Sequence, residues 1–289
     1  MKIKKKELRK GQAQLPINYP APDVVCTFDY DREKDRVETI CKRLAEVEES
    51  VRDDVLGKVP LYLKEITYRY IQTASAAAAA KKPQAKQSAS AVAESNNAEL
   101  SKEDEDALSM IYLKLSYGLF YNYWHSDKPL VQHATAEKIA NLQHSIPNAQ
   151  AADLFVKCFL KILVREWMKI DKWRLDKFMS LVRKFLHQVI RRLIAYKEGT
   201  KVWEESIDRV IFAIQYEVVM ESAVGLTMHM CDLLLDELMK SGCNDDMFIK
   251  LADGVAIYAM RRGNFVEKRV LDFFVVPLTN GILDQQRDD

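Results

Sequence analysis

From Asp35 onward, apolar side chains recur every three to four positions and keep that rhythm almost to the end of the chain. This is the periodicity of helices that each bury one face. Val37, Ile40, Cys41 and Leu44 share the first such face. A second helix is expected from Ser50, whose spacing to Asp53 fits a capping box, to about Gln72, with a kink near Gly57 and Pro60. Residues 73 to about 100 then change character: an alanine run gives way to Lys, Gln, Ser and Asn with almost no large apolar side chain. Such a segment has nothing to bury in return for ordering, which predicts a disordered insertion.

Ser101 with Asp104 opens the next predicted helix, which carries Tyr112, Tyr117, Phe120, Tyr121, Tyr123 and Trp124. Ser126 or Asp127 is expected to cap the helix after it, with Pro129 in its first turn. Asn148 caps a helix over about 149–169, and Asp171 caps a longer one that stops near Gly199, a natural C′ residue. Further helices fit 201–221, 225–240, 245–261 and 265–275, punctuated by Gly242, Gly263 and Pro277. The pattern thus predicts an all-α fold of about ten helices in consecutive pairs, an irregular α-solenoid of HEAT/armadillo-like helix pairs. A closed bundle is the alternative, but so many helices on short loops stack more readily than they close. The expected organisation is a basic, proline-containing extended tail over 1–34, one helical-repeat domain over 35–285 interrupted at 73–100, and a short C-terminal tail over 286–289.

Composition narrows the class. Nine glycines and eight prolines in 289 residues suit long helices better than many short strands. The formal net charge of +1 argues against coating nucleic acid by bulk charge alone, yet the charge is unevenly placed. From Lys157 to Lys201 there are thirteen Lys/Arg against four Asp/Glu; from Glu204 to Asp246 there are ten acidic residues against Arg209 and Lys240. Adjacent blocks of opposite sign imply either two kinds of partner or helix faces whose charges pair with each other. The five cysteines (Cys26, Cys41, Cys158, Cys231, Cys243) are odd in number and lack paired ligand spacing, which points to a reducing compartment without zinc or disulfides. Met1 to Lys10 is basic with no apolar core behind it, so no signal peptide is expected. Lys157 and Lys161 interrupt the most apolar run, Leu154 to Val164, so no membrane span is expected either.

The helix after Asp171 is the main candidate for chemistry. At helical pitch Leu175, Phe178, Val182, Phe185, Val189 and Leu193 form one stripe, Lys177, Lys184 and Arg191 fall nearly opposite beside His187, and Arg174, Arg183 and Arg192 flank the stripe. The expectation is an exposed ridge of Lys177, Lys184 and Arg191 meeting backbone phosphates, with Arg174, Arg183 and Arg192 as further candidate RNA contacts and a solvated face as the competing account. Lys4, Lys5, Lys6, Arg9 and Lys10 form a second basic cluster suited to RNA or to nuclear import. His229 and Asp232, with Asp236 and Glu237 a turn on, have no second His or Cys cluster to complete a metal or acid–base site, so a local hydrogen bond is the expectation. The tyrosine–tryptophan cluster is assigned to the core, although such rings also stack on bases. No phosphate loop, nucleophile elbow or kinase signature is present, so neither a cofactor nor a small-molecule substrate is expected.

Three stretches, in order, resemble one family: GLFYNYWHSDKPLVQ (118–132), WRLDKFMSLVRKF (173–185) and GLTMHMCDLLLDEL (225–238). They are similar to blocks of the ribosomal RNA processing protein 1 family, also called the nucleolar protein of fifty-two kilodaltons, and the resemblance runs from about Asp35 to about Leu283. It implies an α-solenoid that assists maturation of the large ribosomal subunit precursor in the nucleolus without cleaving RNA. The implied partners are pre-ribosomal RNA and assembly factors of the Brix-domain and WD-repeat type, with ribosomal proteins as further neighbours. By position, Ser126, Asp127, Lys128 and Pro129 would be an inter-helix turn, and Arg174, Lys177, Arg183 and Lys184 would belong to the family's basic helix. Many members carry a long basic C-terminal tail; here the sequence ends at Asp289, so tail-mediated RNA binding is not expected. The insertion at 73–100 is a second departure. A purely protein-binding solenoid adaptor, its basic ridge docked on an acidic protein, is the alternative.

Overall fold

The computed structural model describes residues 30–79, 99–219, 223–260, 267–268 and 272. Among them are nine α-helices and no strand. In chain order they are α1 (Tyr30–Leu44), α2 (Glu49–Ala79), α3 (Lys102–Trp124), α4 (Pro129–Asn141), α5 (Ala149–Trp167), α6 (Leu175–Ile194), α7 (Lys201–Ala213), α8 (Val224–Ser241) and α9 (Asp245–Met260). A 3-10 turn over Leu142–Ser145 follows α4, and a π-helical turn over Ile214–Val219 follows α7.

Their packing has a simple rule: each helix lies against the helix two places on. The odd-numbered helices form one layer through the contacts α1–α3, α3–α5, α5–α7 and α7–α9. The even-numbered helices form the other through α2–α4, α4–α6 and α6–α8. Consecutive helices thus make hairpins that stack side by side, which is the architecture of an α-solenoid. A single apolar cluster runs between the layers from Val37 to Val255, with Phe120, Phe155, Phe159, Phe178 and Phe185 almost wholly buried within it.

Local chemistry explains most boundaries. The Ser101 hydroxyl accepts a hydrogen bond from the Asp104 amide, and the Asn148 side chain accepts one from the Ala151 amide, so both act as N-caps. Gly242 closes α8 with a φ of 68°, a left-handed conformation that suits glycine. Gly118 lets α1 and α3 approach closely, because a Cβ there would lie 3.0 Å from the Cys41 Cα.

Several expected boundaries move. Helix α1 begins at Tyr30, inside the segment expected to be an extended tail. Helix α2 runs unbroken past Gln72 to Ala79, taking in alanines, the best helix formers, although Pro60 sits inside it. Ser50 does not cap it; its hydroxyl donates to Glu48 instead. Neither Ser126 nor Asp127 caps α4, whose N-cap is Lys128 without a side-chain bond, while Pro129 takes the first helical position as expected. Asp171 acts one turn before α6, accepting from the Trp173 and Arg174 amides, and α6 ends at Ile194, so Gly199 (φ 69°) belongs to the following loop. The stretch expected over 201–221 is α7 plus the π turn. Residues 80–98 of the insertion, the two tails outside 30–285, and the expected stops at Gly263 and Pro277 lie outside the described residues.

Candidate functional site

The expected basic ridge on α6 is largely dismantled by its neighbours. Lys177 is buried, and its ammonium donates to the Trp124 and Ser126 carbonyls at 2.8 and 2.7 Å. Burial pulls its pKa down to about 8. Arg192 is also buried: it donates to Asp153 at 2.7 Å, to the Tyr196 hydroxyl at 2.9 Å and to Gln143 at 3.2 Å. These two residues are therefore not on an exposed ridge. The reason is the solenoid itself, which covers α6 with α4 on one flank, α8 on the other and the odd-numbered layer beneath, so its buried arc exceeds a single apolar stripe.

The remaining α6 cations divide. Lys184 pairs with Glu137 of α4, while Arg183 donates to Asp236 and Glu237 of α8 at 2.6 and 2.9 Å. His187 donates to Glu237 at 2.9 Å. Lys138 of α4 pairs in turn with Asp53 of α2. Ion pairs therefore cross every boundary of the even-numbered layer, and the basic and acidic blocks read in sequence partly neutralise one another across α6 and α8. Arg174 pairs with Asp171 and lies over the Trp124 ring at 4.8 Å. Arg191 is exposed and makes no ion pair among the described residues.

The three sequence blocks meet at one edge of the stack. Phe120 stacks on Phe178 with ring centroids 4.7 Å apart, and the Tyr123 hydroxyl donates to the Lys177 carbonyl at 2.9 Å. Lys177, reaching back to Ser126, fixes the turn of Ser126, Asp127, Lys128 and Pro129. His229 joins the third block to the second by donating from Nε2 to the Met179 carbonyl at 3.0 Å. The expected local bond on the helix surface is thus replaced by one that crosses from α8 to α6, because the imidazole faces the neighbouring helix, and burial lowers its pKa.

A second cationic row lies on α5. Beyond its first two residues, α5 is buried except for Lys157, Lys161 and Arg165, and Lys169 continues the row at the same four-residue step. The helices on either side add exposed rings: Tyr117 of α3, and Phe212 of α7 with Tyr216 of the π turn. The sequence carries the signal, since Lys157 and Lys161 interrupt an apolar run at a helical step. Of the aromatic cluster in α3, Tyr112, Phe120 and Tyr123 are core and Tyr117 is not. Among the described residues no helix is long and apolar enough to cross a membrane.

The fold and its surfaces define a solenoid of stacked helical hairpins, laced by inter-helix ion pairs on one layer and carrying an open cationic row on the other. Comparison with known proteins gives this class a family. The chain belongs to the family described as nucleolar protein, Nop52, which matches residues 35–280. Ribosomal RNA processing protein 1 homolog B of Mus musculus is 30% identical over 219 residues, covering 73% of this chain and 25% of the relative. The human homolog B is 34% identical over 171 residues (53% and 22% of the two chains), and the human homolog A 33% over 156 residues (52% and 33%). The chain thus matches these relatives over a third of their length or less.

Proposed function

We propose that this chain is a non-catalytic ribosome biogenesis factor of the large-subunit precursor, a nucleolar helical scaffold that binds pre-ribosomal RNA and other assembly factors and is needed for rRNA processing. The observation that carries the reading is family membership over nearly all the helical region, residues 35–280, with relatives named as ribosomal RNA processing proteins. A solenoid suits such work because stacked hairpins offer long continuous surfaces to several partners at once. Assembly factors of the Brix-domain and WD-repeat type, and ribosomal proteins, are the proposed protein neighbours; membranes and small-molecule substrates are not. His229, the residue nearest to an acid–base role, is committed to a helix–helix hydrogen bond. Of the cations on α6 and at its start, Arg191, together with Arg174, Arg183 and Lys184, remains as a proposed RNA contact. Lys4, Lys5, Lys6, Arg9 and Lys10 of the tail are proposed for RNA or nuclear import.

The test is depletion and rescue in cells. Loss of the protein should accumulate uncleaved precursors of large-subunit rRNA, and tagged full-length protein should co-sediment with large-subunit precursors. Normal precursor levels after depletion, or sedimentation with free protein only, would overturn the reading. Arg183 and Lys184 are engaged by carboxylates of the chain itself, which leaves less α6 charge for RNA and favours, as the second reading, a purely protein-binding adaptor that docks through other faces. The salt dependence of RNA binding separates the two, because an adaptor shows none.

A further inference from the structure

The outer face of the odd-numbered layer carries a site that the α6 ridge does not account for. Lys157, Lys161, Arg165 and Lys169 stand four residues apart, a pitch of about 6 Å along the helix, which is of the order of the separation between successive phosphates on an extended strand. Their charge is incompletely neutralised. Arg165 and Lys169 share the single carboxylate of Glu166 at 2.9 and 2.8 Å, and Lys161 has only Glu217 at 3.9 Å; the side chains of both glutamates are largely buried.

Aromatic faces line both sides of the row. The Arg165 guanidinium lies 5.0 Å from the centre of the Tyr117 ring on α3, and the Lys157 ammonium lies 5.8 Å from that of Phe212 on α7. Tyr216 packs beside Phe212 with centroids 4.2 Å apart. Tyr117, Phe212 and Tyr216 are 39%, 48% and 43% exposed, so their outer surfaces are open to solvent. At the start of α5 the row runs into an open depression of about 330 Å³ bordered by Glu105 and Asp208, whose charge would repel phosphate. At the other end it meets Lys172, which lies 4.8 Å from the centre of the exposed Trp173 ring.

We propose that this groove binds an unpaired RNA strand, with phosphates along the α5 cations and bases on Tyr117, Phe212 and Tyr216. The proposal deepens the RNA-binding part of the function proposed above and rests on it. A cationic track with flanking rings is the chemistry by which proteins hold single strands, since every base offers a π face and every link a phosphate. A duplex hides its bases, so the rings would have no role. An acidic protein segment would use the cations but has no need for flat rings beside them. The acidic border at Glu105 and Asp208 sets where the strand stops, leaving Lys157 to Lys172 as the track.

The test titrates the full chain with a fluorescent oligouridylate, and with duplex RNA of equal length, over a range of salt concentrations. Wild type should bind the single strand more tightly than the duplex. The double change Lys157→Gln, Lys161→Gln should reduce the slope of log affinity against log salt by about 1.4 for two lost contacts. Phe212→Leu keeps the apolar bulk but removes the ring, and should weaken binding roughly five- to hundred-fold with the slope unchanged. Lys58→Gln, Lys240→Gln, neutralising two cations of the other layer, should change neither value, and unaltered melting curves should show that every variant folds. If wild type binds RNA and the groove variants bind equally well, the groove is rejected while the RNA reading stands. Loss of binding in the lysine variant with Phe212→Leu unaffected, together with equal competition by polyglutamate, would assign the row to an acidic protein and overturn the proposal. No binding of either RNA by wild type would overturn the RNA reading itself.

Discussion

Replacing Arg192 by alanine separates a structural cation from an RNA contact. Its guanidinium lies between the layers, where it donates to Asp153 at 2.7 Å, while Arg209 of α7 donates to the other carboxylate oxygen at 2.9 Å. Arg192 and Asp153 are 4% and 3% exposed, so the pair is dry and ties α5, α6 and α7 together. Truncating Arg192 would leave Asp153 buried with half its compensation, and would also strip donors from Gln143 and Tyr196. Breaking a buried pair from one side costs about 3–5 kcal/mol. For a domain of this size each kcal/mol shifts Tm by roughly 2–4 °C, so a fall of roughly 6–20 °C is expected. Differential scanning calorimetry of wild type, Arg192→Ala and the solvent-exposed control Arg191→Ala measures it directly; the control should move by less than about 0.5 kcal/mol. A double change, Arg192→Met with Asp153→Leu, should recover part of the loss, because no uncompensated buried carboxylate remains and Arg209, a third exposed, keeps Glu205 as partner. An Arg192→Ala protein that melts like wild type but binds RNA with a shallower salt dependence would refute the argument and restore Arg192 to the surface.

Three further outcomes follow from particular groups. Lys177→Met leaves the Trp124 and Ser126 carbonyls without their donor and should cost about 1–3 kcal/mol at neutral pH. Because the folded pKa of Lys177 is about 8 against an ordinary 10.5, the unfolded chain binds the extra proton between those values, so wild type should gain stability over that range while the Met variant does not; parallel melts from pH 8 to 10.5 check the sign. His229, held below its ordinary value of 6.5 by burial, should lose part of its stabilising effect as pH falls below that value, since the unfolded chain protonates first. His229→Gln should flatten this acid limb in a pH series of melts, and an unchanged limb would count against the buried imidazole. Gly118→Ala should destabilise in spite of alanine's better helix propensity, because the Cys41 backbone stands 3.0 Å from the new methyl; a rise in Tm would show that α1 and α3 separate at little cost.

The helices were legible in the sequence because their apolar spacing is set locally. Caps such as Ser101 and Asn148, and the stop at Gly242, need only nearby residues to be recognised. The α6 ridge is not legible in the sequence because exposure is decided by neighbours distant in the chain. Lys177 has an ordinary polar position on a helical wheel, and only the α3–α4 turn folding over it makes it a buried donor. Arg192 is read correctly as flanking the apolar stripe, yet Asp153 on α5 draws it inward, and no local pattern announces that. The α5 row shows the reverse. Its cations interrupt an apolar helix at a regular step, which marks a single open line on an otherwise buried rod, but the flanking rings come from α3 and α7 and become visible only once the layers are stacked.

Backbone packing joins only helices one or two places apart, and side chains reach at most a helix further, as Phe120 of α3 does to Phe178 of α6; this has a mechanical consequence. Among the described helices no substantial packing spans the stack from α1 to α9. The stack is therefore an elastic rod: a load at one end reaches the other only by passing through each intervening joint. On the even-numbered side the α2–α4, α4–α6 and α6–α8 joints each include an ion pair open to solvent, Lys138–Asp53, Lys184–Glu137 and Arg183–Asp236; on the odd-numbered side such pairs are fewer, Lys114–Glu38 at α1–α3 and Arg209 on the buried Asp153 at α5–α7, and packed rings and aliphatic side chains dominate. Salt screens the first kind of joint and hardly touches the second. Ionic strength should then act as a bending moment, relaxing one side of the rod relative to the other and changing its curvature before it changes its helix content.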